Sequence, residues 1–154
     1  MDRLEYIRIK TDRILDAMEN SISCKLAYIH SYGVSQMAAL LAKKRNLNIE
    51  LACIAAMLHD ISQYETGRLI DHAKESAKRA EEILKASDEF TEEEINIIVS
   101  AIAFHSDKQV KHGDYEELLK DSDVLAHYFY NVNVPINEQD KVRLFYLLEE
   151  LHIS

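Results

Sequence analysis

His59 and Asp60 lie side by side at the end of the most apolar segment of the chain, residues 49–58. This segment is apolar almost all round, which is typical of a helix buried in the middle of a domain. A carboxylate at the end of such a helix is desolvated and faces the negative end of the helix dipole. A divalent cation would offset both costs. The doublet therefore predicts a metal site, and the alternative is a helix-end pair in solvent.

Three more histidines lie on or at the ends of predicted helices, next to apolar stripes: His30, His72 and His105. A single histidine in such a place is more often a boundary residue whose ring nitrogens are hydrogen-bonded. A cation at the His59-Asp60 doublet, however, would also suit two imidazoles and a second carboxylate brought in from other helices.

Asp123 is the candidate for a second carboxylate ligand. It lies in the stretch Asp121-Ser122-Asp123-Val124-Leu125, where Val124 and Leu125 are predicted to face inward, so one of the two acids is expected to be buried. The alternative is that Asp121 or Asp123 is an N-terminal helix cap.

The order of these residues resembles the HD superfamily of metal-dependent phosphohydrolases, which is marked by a His, a His-Asp doublet and a distant Asp, all on helices. The stretch Ala56-Met57-Leu58-His59-Asp60-Ile61 is similar to the doublet helix of that family, and residues 121–125 are similar to its closing aspartate. The resemblance covers about residues 25–130. It implies an all-α fold and a metal site formed by His30, His59, Asp60 and Asp123.

Residues 72–77 and 101–106 are similar to the additional histidine helices of superfamily members that hold two metals. This resemblance implies that Asp60 bridges two ions and that His72 and His105 bind the second. The alternative is a one-metal site in which His72 and His105 contact substrate or orient water. The ligand types do not identify the metal, so iron, manganese, nickel, cobalt and zinc all stay open.

A pair of divalent ions about 3.5–4 Å apart polarises a phosphoryl oxygen, activates water as the nucleophile and neutralises a leaving oxygen. We therefore expect hydrolysis of a small phosphorylated compound, a nucleotide or a phosphate ester, with His59 and Asp60 at the catalytic centre. Two alternatives stay open. One is a metal-binding regulatory module without turnover, and the other is an HD-type two-iron oxygenase.

A phosphate substrate also needs cationic groups at the mouth of the site, since the chain carries a formal net charge of −9. Lys108, Lys111 and His112 follow His105 closely enough to serve, and the alternative for them is a solvated loop. Gln63 stands where many phosphohydrolases of the superfamily place a lysine. Gln63 can hydrogen-bond to substrate but carries no charge, so the resemblance assigns no particular substrate.

The helices that position these residues are predicted from apolar periodicity. About six to seven helices are expected, in a single compact all-α HD-type domain over residues 1–154, with N- and C-terminal helices packing on the motif-bearing core. Thr91 and Glu94 fit a capping box, and residues 62–68 and 106–113 are predicted as loops. The second helix is expected to bury a stripe made of Leu26, Ile29, Val34, Met37, Leu40 and Leu41.

The acidic balance disfavours a nucleic-acid polymer or an anionic membrane as the main partner. The sequence has no run of about 18 apolar residues and no secretion signal at its start, so we expect a cytoplasmic protein without a membrane partner. Cys24 and Cys53 are interpreted as small buried apolar residues. The aromatic run at residues 128–130 is either core or an exposed patch, which leaves the oligomeric state open.

Overall fold

The computed structural model describes residues 2–153, which form helices and no strand. The prediction of an all-α fold is confirmed. Seven of the helices are those that the apolar periodicity predicts, and the eighth is the short α4. Their bounds over the described residues are α1 Arg3–Asp16, α2 Ser21–Arg45, α3 Ile49–Leu58, α4 Ile61–Thr66, α5 His72–Ser87, α6 Glu92–Phe104, α7 Asp114–Tyr130 and α8 Glu138–Glu150.

Helix α3 lies at the centre of the fold and contacts α1, α2, α5, α6 and α7. All of its residues from Leu51 to Leu58 are buried, as expected for a helix that is apolar on every face. The Asn48 side chain accepts a hydrogen bond from the backbone N–H of Leu51 and caps the start of α3. The doublet His59-Asp60 therefore emerges from the middle of the domain.

The predicted loop over residues 62–68 is wrong, because residues 61–66 form α4. Ile61 and Tyr64 are three residues apart and both are buried, so this polar segment has an apolar face. The Ser76 hydroxyl accepts a hydrogen bond from the backbone N–H of Ser62, and the Ser31 hydroxyl donates to Tyr64. Gly67 ends the helix at a φ of 69°, in the left-handed region that suits glycine.

Local capping signals are correct elsewhere. Thr91 and Glu94 form the predicted capping box of α6, and the loop before α7 ends at Gly113. The alternative of Asp121 or Asp123 as a helix cap is wrong, because both residues lie well inside α7. The role of Asp121 is instead to pair with two arginines, Arg45 and Arg143.

The predicted stripe of α2 is only partly buried. Val34 and Leu41 belong to the core, whereas Leu26, Ile29 and Leu40 are exposed by 46%, 40% and 48%. Helices α3 and α7 pack on α2, and its buried residues are mostly small: Ala27, Ser31, Val34, Ser35, Ala38, Leu41 and Ala42. Cys53 is buried, Cys24 is half-buried, and both thiols are free.

The aromatic run at the end of α7 divides between core and surface. Tyr128 packs against the core, whereas Phe129 and Tyr130 are exposed, as are Val132 and Val134 in the segment that follows. Within residues 2–153 each helix is too short or too polar to cross a membrane.

Candidate metal centre

Three histidines reach the centre with their rings fixed by the backbone. His59 follows α3 and its Nδ1 lies 2.6 Å from the carbonyl oxygen of Ala56, while His105 follows α6 with its Nδ1 2.7 Å from that of Ile102. His72 begins α5, and its Nδ1 lies 3.0 Å from the carbonyl oxygen of Leu69. Because a carbonyl only accepts, each Nδ1 carries the proton and donates it. Each Nε2 is then left with a lone pair, which is the form that binds a metal.

His30 of α2 completes a first group of ligand atoms. Its Nε2 lies 3.0 Å from Nε2 of His59, 3.5 Å from Oδ2 of Asp60 and 3.3 Å from Oδ1 of Asp123. Ligands about 2.1 Å from a common ion lie about 3 Å or more from one another. The structure thus brings together the four residues that the sequence singled out, from α2, the end of α3 and α7.

The two carboxylate oxygens of Asp60 face two different histidine pairs. Oδ2 lies 3.2 Å from Nε2 of His59 and 3.5 Å from that of His30. Oδ1 lies 3.4 Å from Nε2 of His72 and 3.3 Å from that of His105. A carboxylate in this position can bridge two ions, one for each pair of imidazoles.

Oδ1 of Asp60 is also a buried polar atom that accepts no hydrogen bond from the described residues. Its nearest polar neighbours are Nε2 of His72 and Nε2 of His105, which are lone-pair atoms in this tautomer. The hydroxyl of Ser106 contacts these two nitrogens but leaves Oδ1 without a donor. Such an arrangement is costly unless a cation lies among the three atoms. The residues present therefore fit a second metal ion as well as a first.

The electrostatics of the cluster also favour a cation. Burial opposes ionisation of Asp60, but its contacts with His59, His105 and His30 outweigh burial and hold its pKa well below the usual range. Burial opposes ionisation of Asp123 in the same way, yet His30 and Lys108 lower its pKa. Burial disfavours the charged form of His30, but Asp123 and Asp60 raise its pKa to about 9. In the absence of metal, a proton on His30 takes the place of the cation.

Of the residues predicted to bind substrate, Lys108 and Gln63 line the cleft in front of the centre, which has a volume of about 670 Å³. The ammonium of Lys108 pairs with Oδ2 of Asp123, on the other oxygen from the one that faces His30. Nη2 of Arg143 donates to the backbone carbonyl of Lys108 over 2.9 Å and holds this part of the loop in place.

Lys111 and His112 lie elsewhere. Both line a separate depression, together with Arg45 and Glu117. The ring of His112 stacks on Phe104 and its Nδ1 accepts a hydrogen bond from the buried Lys120, so His112 is held away from the metal ligands. Sequence proximity to His105 was a poor guide for these two residues, because the loop turns away from the cleft.

His127 is a member of the centre that the sequence did not single out. It lies one turn after Asp123 on α7, with Nε2 3.5 Å from Oδ1 of Asp123 and its ring 4.8 Å from that of His30. It is largely exposed and lines the cleft. The signal that could have found it is the spacing of four residues from Asp123, which places both on one face of a helix.

The chain is similar to known proteins in both sequence and fold. The model of the HD domain family matches residues 27–128. A solved structure described as a predicted HD superfamily hydrolase from an uncultured Thermotogales bacterium is similar to this chain, with a TM-score of 0.63 and 20% identity over 99% of this chain and 96% of that one. A comparison with curated proteins found no match. The resemblance seen in the sequence is confirmed, and this chain belongs to the HD domain family.

Proposed function

We propose that this protein is a metal-dependent hydrolase of a small phosphorylated compound, a nucleotide or a phosphate ester. The observation that carries the proposal is that each of the two carboxylate oxygens of Asp60 faces a separate pair of imidazoles. A carboxylate with this arrangement of neighbours can bind two divalent ions. Such pairs of ions suit reactions in which one oxygen on phosphorus is displaced by another.

The residues divide into two ligand sets. His30, His59, Asp60 and Asp123 would hold the first ion, and Asp60, His72 and His105 would hold the second. When bound, the ions supply the Lewis acidity that activates water and neutralises charge on the phosphate. The carbonyls of Ala56, Leu69 and Ile102 orient three of the four imidazoles before metal arrives, which lowers the cost of assembling the site.

Lys108, Gln63 and His127 face the cleft and act on the substrate. The ammonium of Lys108 lies next to Asp123, so it places a positive charge where a phosphate oxygen would approach the centre. The side-chain amide of Gln63 and the ring of His127 are neutral hydrogen-bonding groups on the same cleft. Together these three side chains would orient the phosphate group, while the metal ligands stay available to the ions.

The proposal is tested by comparing the wild type with Asp60→Asn and Asp107→Asn. Asp107 is an exposed carboxylate on the loop beside the centre, and Asp60 makes no capping bond to α4. Neither change should therefore disturb a helix. We expect about two transition ions per chain and phosphatase activity in the wild type and in Asp107→Asn, and loss of both in Asp60→Asn.

Either of two results would overturn this proposal. A wild type that stays free of metal after incubation with manganese, iron, cobalt, nickel or zinc would be a helical binding module. A metal-loaded protein that turns over only with iron and dioxygen would be an oxygenase. Hydrolysis of a phosphate ester under strict exclusion of oxygen separates the proposed activity from the latter.

A further inference from the structure

The cleft in front of the metal centre is lined by two chemically different kinds of side chain. It carries the ligand residues with Lys108 and His127. Its lining also includes the apolar side chains of Met18, Leu26, Ala27 and Leu69. A ligand that reaches the metal centre therefore also contacts hydrocarbon.

Two of these apolar side chains are exposed to solvent at the cleft. Leu26 is 46% exposed and Leu69 is 67% exposed, although both lie beside a polar centre. Leaving such side chains in water forgoes part of the burial that stabilises the fold. Apolar surface at the mouth of a polar cleft is typical of a site that covers part of its ligand.

The charges around the cleft limit how many phosphate groups it can hold. Among residues 2–153, Lys108 is the single lysine or arginine that lines the cleft, and it already pairs with Asp123. Arg45, Lys111 and Arg143 line a different depression. Apart from the ions themselves, the cleft thus offers one positive side chain, which suits one phosphate group better than a chain of them.

The hydroxyl groups of Ser106 and Tyr64 on the cleft are already engaged, which leaves Ser23, Gln63 and His127 as the polar side chains that could bind a sugar. The hydroxyl of Ser106 contacts the ring nitrogens of His72 and His105, and the hydroxyl of Tyr64 is hydrogen-bonded to Ser31. A sugar with several hydroxyl groups would leave some of them unpaired against Leu26 and Leu69, which is unfavourable.

We propose that the substrate is a phosphate monoester with an apolar organic group, an aryl or alkyl phosphate. Its phosphate group lies between Asp60 and Lys108, and its apolar group packs against Leu26 and Leu69. This inference rests on the proposed function, because it needs the metal centre to bind the phosphate. It goes further by assigning Leu26 and Leu69 as determinants of specificity.

The experiment measures binding of methyl-, butyl- and hexylphosphonate to the metal-loaded protein by calorimetry. These ligands carry one phosphonate group each and are not hydrolysed. We expect the affinity to rise about two- to fourfold for each added methylene group. The lower figure corresponds to partial burial of the methylene group and the higher figure to complete burial. Pyrophosphate is the comparison ligand, and we expect it to bind no more tightly than hexylphosphonate.

Two matched variants test whether Leu26 is the side chain that contacts the alkyl group. Leu26 and Leu40 are leucines of the same helix with nearly equal exposure, 46% and 48%, but Leu26 alone of the two lines the cleft. In Leu26→Gln we expect the affinity to increase much less with alkyl chain length than in the wild type, while the affinity for methylphosphonate stays the same. Leu40→Gln should behave as the wild type.

The outcomes separate the two proposals. Equal affinity for methyl- and hexylphosphonate, or an equal loss in Leu26→Gln and Leu40→Gln, would overturn the inference and leave the hydrolase assignment intact. If inorganic phosphate and methylphosphonate both fail to bind and no phosphate ester is hydrolysed, the proposed function fails and this inference fails with it.

Discussion

His59 and His105 occupy equivalent positions at the carboxyl ends of two different helices. Each follows its helix and donates from Nδ1 to the carbonyl oxygen three residues earlier. The two rings lie 4.9 Å apart and nearly perpendicular, at 89°. The carbonyls at the end of a helix otherwise lack partners within it. One hydrogen bond thus engages a carbonyl at the helix end and presents Nε2 to Asp60, which suits a histidine at the position where an apolar helix stops.

The first prediction concerns the number of ions. His105→Gln removes a ligand from the second set alone, so metal analysis should find about one ion per chain instead of two. Because the second ion helps to neutralise the phosphate, we expect kcat to fall about a hundredfold or more. His152→Gln changes an exposed histidine outside the centre and is the control. An unchanged metal content in His105→Gln would contradict the assignment of His105.

The second prediction concerns Lys108. Lys108→Gln should leave the metal content unchanged but lower kcat/KM for a phosphate ester about ten- to a hundredfold, the usual effect of losing a hydrogen bond to a charged group. The matched control is Lys111→Gln, since Lys111 belongs to the same loop but lines the neighbouring depression. Equal effects of the two substitutions would show that the positive charge acts from a distance rather than by contact.

The third prediction concerns pH. In the metal-free protein the pKa of His30 is about 9, so His30 keeps its proton below that pH. Metal binding requires the neutral ring and must displace the proton. The apparent affinity of the first set should therefore rise about tenfold per pH unit between pH 7 and pH 9 and level off above. The carboxylates add no slope there, because their pKa values are already lowered.

Metal titrations at several pH values, with a competing chelator, measure this slope. His30→Gln has no proton to displace and should bind metal more weakly with a smaller slope. The stability of the metal-free protein depends on pH in the opposite direction to its affinity for metal. A raised pKa of His30 stabilises the protein below pH 6.5, and that contribution is lost as the pH rises through about 9.

The fourth prediction concerns metal removal. A ligand present at about a thousand times its Kd stabilises the folded state by about 4 kcal/mol, which for a chain of this size raises Tm by about 10 °C. A chelator should lower the Tm of the wild type by this amount. Asp60→Asn should have a Tm that the chelator does not change. A wild-type Tm that is insensitive to chelator after metal loading would contradict the ligand sets.

The sequence by itself determined the features that depend on neighbouring residues. Periodicity and caps such as the Thr91–Glu94 box gave most helices, because the hydrogen bonds involved join residues three or four apart. The doublet His59-Asp60 pointed to a cation, because the cost of a carboxylate at the end of an apolar helix is a local property of the chain.

The tertiary structure alone decided which oxygen of Asp60 faces which imidazole, because this depends on how α2, α5, α6 and α7 pack around α3. The same packing brought His127 into the centre and carried His112 out of it. It also buried Lys120 completely, where Val110, His112 and Glu117 supply its acceptors. Leu26 repeats at helical spacing like any core residue, and its exposure at the cleft follows from how the helices of residues 2–153 pack around α2. Long-range packing sets these relationships, and no local pattern encodes them.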